Sequence, residues 1–234
     1  MFTELNSILN TKPDSVTEGE FILLSDRRSD ASFLIHHFLS LYLRAGCRVW
    51  FVALVQSFNH YSGISQRLGV SLSQAKEKGQ LVFLEGLKES LSVLIPQETE
   101  AGSEVMDFLR DPAAGLKSLY QFVGSSLTSG GGDDDDDEEG RGSPVLLVDD
   151  LSVLLSLGVS VGDMLDFSHY CRATVCSQLQ VSTCVNCGVV CFQVEVCWRL
   201  RRGDGQHSQK KVFQYKVHDK GASFFAPGTS SAVL

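Results

Sequence analysis

One stretch constrains this chain more than any other: Pro144-Val-Leu-Leu-Val-Asp-Asp150. Its four consecutive apolar residues, Val145 to Val148, read as a strand covered on both faces, the pattern of a parallel sheet. Two carboxylates, Asp149 and Asp150, follow at the C-terminal end of that strand. Open α/β sheets bind their ligands at this edge. A strand ending in Asp is also the Walker B pattern, whose carboxylate holds Mg²⁺ in P-loop NTPases. The plainer reading is that the two acids end the strand and cap the helix after it.

The chain around this stretch alternates in the same style. Phe21–Leu24, Arg48–Val55 and Leu81–Leu84 are further apolar strands. Phe33–Arg44 is a helix apolar on nearly every side, with Ser29 or Asp30 as its cap. Short helices are expected around Gly63–Leu68 and Ser71–Lys78, with others near Glu104–Arg110, over Leu116–Leu127 and over Asp163–Arg172. Phe2, Leu5, Ile8 and Leu9 give Met1–Leu9 a short helical period. Strands alternating with helices predict an α/β fold with helices on both faces of a mostly parallel sheet. From Val190 to Arg201 apolar and polar residues alternate, and they do so again over Val212–Val217. With Gly203-Asp-Gly205 as a turn, these runs predict an antiparallel hairpin at the sheet's C-terminal edge.

With 234 residues and 43% hydrophobic content, the chain suits a single α/β domain over residues 1–234. The net charge of −8 is carried mostly by Asp133–Asp137, Glu138 and Glu139, whose seven charges leave −1 for everything else. Residues 128–143 around this run read as a disordered acidic insertion. The remainder has no global bias toward nucleic acid or membrane. No apolar run reaches the ~18 residues a bilayer span needs. Nor does the start show a basic stretch leading into an apolar one, as a secretory signal would. Seven cysteines, an odd number, then fit a reducing compartment.

If Asp149 were a working Walker B residue, a phosphate loop should join the first strand to the first helix. Such a loop reads GxxxxGK[ST] because glycines let backbone N–H groups wrap phosphates, Lys neutralises them and Ser or Thr holds Mg²⁺. Ser25–Ser32 has the right length. Ser25 stands for the first Gly, Asp30 for the second, Ala31 for the Lys and Ser32 for the Ser/Thr, so only the last matches. Asp26 and Asp30 would also repel a polyphosphate, since like charges ~4 Å apart cost roughly 4 kcal/mol at an effective dielectric of ~20.

The strings FVALVQSFNHY, LGV, GQLVFLEGLK, PVLLVDDLSVLLSLG, LDFSHYCRATVC and QYKVHDKGASFFA closely resemble the Elongator complex protein 6 family of vertebrates. The match covers Met1 to about Cys176 and resumes near Phe213. The resemblance implies a RecA-like three-layer sandwich that has lost its ATPase motifs. It further implies a non-catalytic subunit of the Elongator accessory heterohexameric ring, built with the fourth and fifth Elongator proteins beside the catalytic subcomplex. That ring would bind tRNA and support 5-carbonylmethyl-type modification of wobble uridine, in cytoplasm and nucleus. A link to transcription elongation and histone acetylation also comes with the family. Gln56 stands near the point where RecA-type enzymes place a catalytic Glu. The resemblance therefore implies no catalytic residue and no cofactor. One departure stands out: residues 177–211 are short and cysteine-rich for the family, which points to a splice variant or an imperfect gene model.

Other readings rest on fewer residues. One is a divergent nucleotide hydrolase, or a Rossmann-like transferase, which lacks its G-x-G-x-x-G. Another is a zinc-stabilised interaction module built on Cys184 and Cys187. Cys191, Cys197, His207 and His218 are the further ligands at hand, but none forms a second C-x-x-C, and no metal is expected. His36 and His37 read as packed side chains and His169 as structural, while His60 sits where a functional His would belong. Arg199, Arg201, Arg202, Lys210 and Lys211 are candidate RNA contacts on the hairpin, against the alternative of a solvated, charge-protected edge.

Overall fold

The computed structural model describes residues 5–6, 9, 11, 16, 18–28, 32–94, 104–110, 115–129, 143–176, 179, 181–202, 205–218 and 221–225. The elements in order are β1 (Phe21–Arg28), α1 (Phe33–Arg44), β2 (Arg48–Ala53), α2 (Phe58–Arg67), α3 (Leu72–Glu77), β3 (Leu81–Glu85) and α4 (Gly86–Leu94). A 3₁₀ segment, Glu104–Leu109, and α5 (Lys117–Ser129) lead to β4 (Pro144–Asp149). Then come α6 (Val153–Ser156), α7 (Val161–Tyr170) with a π-helical turn at Cys171–Cys176, β5 (Ser182–Arg202), β6 (Gly205–His218) and β7 (Gly221–Phe225). Met1–Leu9 falls largely outside the described residues, but Leu5 and Leu9 are buried. The acidic run, Asp30 and Ala31, and the Gly203-Asp turn residues also lie outside them.

β2 and β4 show why the central strands form. Val49, Phe51 and Ala53 enter the apolar cluster on one face, and Trp50, Val52 and Leu54 enter the cluster on the other. Val145 and Leu147 divide from Leu146 and Val148 in the same way. This period of two, apolar on both phases, requires helices on both faces. Helices α1, α2 and α3 cover the first face, while α4, α5, α6, α7 and the 3₁₀ segment cover the second. Full burial of each such side chain contributes about 1.5–3 kcal/mol. The result is a three-layer α/β sandwich, mostly parallel, with antiparallel C-terminal strands.

The seven-stranded sheet runs β3-β2-β4-β5-β6-β7, with β1 paired to β5. β5 embraces β1. Thr183–Gly188 align with Phe21–Asp26 in the parallel sense; the chain then doubles back, and Val194–Arg199 align with Asp26–Phe21 in reverse. The first arm of β5 therefore lies between β1 and β4.

Three expectations are corrected. The first strand does not stop at Leu24 but continues through Arg28, because both arms of β5 supply ladder partners for Ser25 and Asp26, and Phe192 and Gln193 between the arms do so for Arg27 and Arg28. The hairpin strand begins at Ser182 rather than Val190, since its first arm is a core strand in its own right. α2 begins at Phe58, earlier than its apolar pattern suggests, because Ser57 caps it by accepting the His60 N–H. α4 had no sequence-based expectation, whereas the short α6 is the helix expected after the two acids.

Candidate functional site

Asp149 ends β4 between two strands, level with Ala53 of β2 on one side. Its carbonyl accepts the Leu54 N–H at 2.5 Å. Val148 pairs with Val185, and Val185 pairs with Leu23, so Asp149 and the Leu24–Ser25 part of β1 reach the same edge of the sheet. The peptide bond between Asp149 and Asp150 is cis. Asp150 is half-buried, and its Oδ1 accepts the Ser152 N–H at 2.9 Å ahead of α6.

The Asp149 carboxylate is covered from above by α2. Ser57 starts that helix, and one turn later Tyr61 points down onto the end of β4. The Tyr61 hydroxyl donates to Asp149 Oδ2 at 2.6 Å. Only 1% of Tyr61 and 4% of Asp149 is exposed, so the bond is formed away from bulk water. The tyrosine ring is fixed by Phe51 at 4.7 Å, His36 at 5.3 Å, His60 at 5.7 Å and Phe83 at 5.8 Å between centroids. Cys184, buried in the adjacent strand, has its thiol pushed well up, first by burial and then by Asp149 and Glu20. A buried carboxylate needs such a donor, because leaving it without one costs several kcal/mol.

The described part of the segment in the phosphate-loop position, Ser25–Arg28, is strand and not an anion-wrapping loop. Ser25 pairs with Cys187 and Glu195, and Asp26 with Gly188 and Val194. Backbone groups of this part of β1 are thus turned sideways into two ladders instead of converging on an anion. Ser32 sits at the start of α1 with helical φ and ψ, and its side chain does not cap the helix. Gln56 is exposed in the loop after β2.

At the other end of β1 lies a group of weak acids. The Glu20 carboxyl is pushed up to about 7 by burial. Its backbone carbonyl accepts the Thr183 N–H at 2.7 Å. Cys47 and Cys176 are each pushed up to about 11, mainly by burial, so these thiols stay protonated and unreactive at neutral pH.

The remaining sequence candidates are scattered. His36 and His37 are buried on α1, and burial lowers His37 to about 4. His60 and His169 are exposed. Cys184 and Cys187 lie in an extended strand, with Cys184 set between Ile22 and Leu147, where a zinc knuckle needs a tight turn. Among the described residues, no three His, Cys, Asp or Glu side chains gather as a metal would require. Arg199, Arg201 and Arg202 pair with Ser208, Gln206 and Gly205, while Lys210 and Lys211 pair with Cys197 and Val196. All five occupy one antiparallel hairpin, but on both phases of its alternation. Sequence reasoning missed Tyr61. Its only signal was the demand of a buried Asp149 for a donor.

Comparison with known proteins fits this architecture. The family model described as "Elongation complex protein 6" matches residues 2–191, ending inside β5. "Elongator complex protein 6" of Danio rerio is 51% identical, and that of Homo sapiens 44%, each over all of both chains. The Danio rerio alignment runs over 273 positions against the 234 residues here, so at least 39 positions (273 less 234) have no residue in this chain. An uncharacterized protein from Pyrococcus horikoshii, crystallised with an unknown peptide, shares the fold with a TM-score of 0.51 at 12% identity, over 96% of this chain and 97% of that one. No helix among the described residues is long and apolar enough to cross a membrane. On the family match and the full-length identities, the chain belongs to the Elongation complex protein 6 family.

Proposed function

We propose that this chain is a non-catalytic, RecA-like subunit of the Elongator accessory ring. It assembles with the fourth and fifth Elongator proteins and supports tRNA binding for 5-carbonylmethyl-type modification of wobble uridine. We extend the same proposal to a site of action in cytoplasm and nucleus and to a role in transcription elongation. The observation that carries the non-catalytic part is the buried Tyr61–Asp149 hydrogen bond. The carboxylate that would hold Mg²⁺ is consumed inside the core, and the adjoining β1 backbone is committed to sheet pairing. The fold is kept while the chemistry is not, as suits a subunit retained for its shape. Family membership supports the assembly part.

Two measurements test the proposal. Calorimetric titration of the isolated chain with MgATP is expected to show no binding; saturable binding would restore a hydrolase reading. Co-expression with the fourth and fifth Elongator proteins is expected to yield a stoichiometric complex that binds tRNA. Failure of the chain to enter that complex would remove the assembly reading.

A further inference from the structure

β3 is an edge strand: among the described residues it pairs with β2 alone. The Val49 N–H donates to the Gln80 carbonyl at 2.7 Å. Residues of a parallel ladder alternate in facing one neighbour. Gln80, Val82 and Leu84 therefore turn their backbone groups to β2, and Leu81 and Phe83 turn theirs outward, as does the Glu85 N–H; the Glu85 carbonyl opens the helix α4. Free edges in soluble proteins are blunted by shortness, by charge, Lys above all, by Pro or by a bulge, and of these β3 has only its five-residue length and Glu85 at its end. Leu-Val-Phe-Leu-Glu has no Pro or Lys, and its register with β2 is unbroken.

The flanks of this edge are apolar too. On one face Phe83 and Phe58 are half-buried, their rings 5.2 Å apart. On the other, Val82 is half-buried, and α4 leaves β3 directly with Leu87 47% and Leu91 52% exposed. Leu87 and Leu91 are one helical turn apart and share a face.

We propose that the β3 edge is a strand-addition site for an extended, apolar segment of a partner chain, with a Lys or Arg opposite Glu85. Outward N–H and C=O groups supply the affinity, and apolar residues on both faces read alternate side chains of the added strand. A second copy fits worse. Two-fold pairing about Phe83 would set Glu85 against Leu81, a carboxylate against an apolar residue. The inference rests on the chain being an assembly subunit and deepens that reading by naming one contact.

The test uses the full chain co-expressed with its proposed partner subunits. Glu85→Pro removes one outward N–H, and Leu87→Lys charges the flank; each is checked for an unchanged melting temperature. Each is expected to weaken assembly at least about tenfold. Hydrogen exchange at Leu81, Phe83 and Glu85 is expected to slow by about tenfold or more on assembly. Wild-type affinity in both variants would overturn the edge proposal alone. So would amides already protected in the isolated chain, since its own residues would then cover the edge, or a homodimer abolished by Glu85→Pro. A wild-type chain that does not assemble would overturn the assembly reading, and the edge proposal with it.

Discussion

The hydroxyl of Tyr61 and the carboxylate of Asp149, 88 residues apart, meet at 2.6 Å beneath helix α2. The bond ties that helix to the central strand. Tyr61→Phe should lower stability by about 1.5–3 kcal/mol, because it leaves a buried carboxylate short of its donor. Asp149→Asn keeps an acceptor for the hydroxyl and should cost less than Asp149→Ala. Urea unfolding of the four proteins measures the series; an unchanged midpoint for Tyr61→Phe would contradict it.

Restoring the phosphate-loop consensus should not restore the site. Asp30→Gly with Ala31→Lys supplies the missing second Gly and Lys, yet Ser25–Arg28 stay in the ladders of β5. A fluorescent ATP analogue is expected to bind the double variant no better than the parent. Micromolar binding would mean that this backbone adapts to phosphate after all.

Glu20 and His37 give stability two opposed pH dependences. Glu20, raised from 4.5 to about 7, keeps its proton when folded, so its contribution is present below pH 4.5 and is lost as pH rises through 7. His37, lowered from 6.5 to about 4, stays neutral when folded, so its contribution is present above pH 6.5 and is lost as pH falls through 4. The two offset each other between pH 4.5 and 6.5. Glu20→Gln should therefore gain on the parent steadily from pH 4.5 to 7, as chemical unfolding across that range would reveal. A constant difference would contradict the burial of this carboxyl.

Gly86 marks a close approach of the start of α4 to the end of β2 and to the 3₁₀ segment. A Cβ there would meet Met106 Cε at 2.7 Å, Leu54 Cδ2 at 2.8 Å and the Ala53 carbonyl oxygen at 3.0 Å. Gly86→Ala should cost about 1–3 kcal/mol through overpacking, read as a lower melting temperature. No loss would show that the backbone can shift.

For the basic hairpin, Arg201→Ala with Arg202→Ala should weaken tRNA binding by the assembled ring and reduce its salt slope by about 1–2. Unchanged binding and slope would leave the hairpin as a solvated edge.

Much of the fold was legible because β2 and β4 are apolar on both phases, which dictates a parallel sheet covered by two layers of helices. The edge that carries Asp149 followed from strand direction alone. What the sequence hid was tertiary. Ser25–Arg28 is polar and reads as a loop, but the two arms of β5 and the residues between them impose strand on it. β5 itself looked like one alternating strand after Val190, because its first arm, Ser182–Gly188, has few strong strand formers and is held by its neighbours β1 and β4. The Tyr61–Asp149 contact joins residues 88 apart, and no local pattern records it.

The most direct test of the central claim is Asp149→Asn introduced into the assembled complex, with ATP hydrolysis and complex stability measured on the same preparation. If Asp149 is a structural hydrogen-bond acceptor, hydrolysis per assembled complex stays at the parental level, and any loss is confined to stability. A complex that assembles and melts as the parent does, but loses the share of hydrolysis belonging to this subunit, would make Asp149 catalytic and contradict the account.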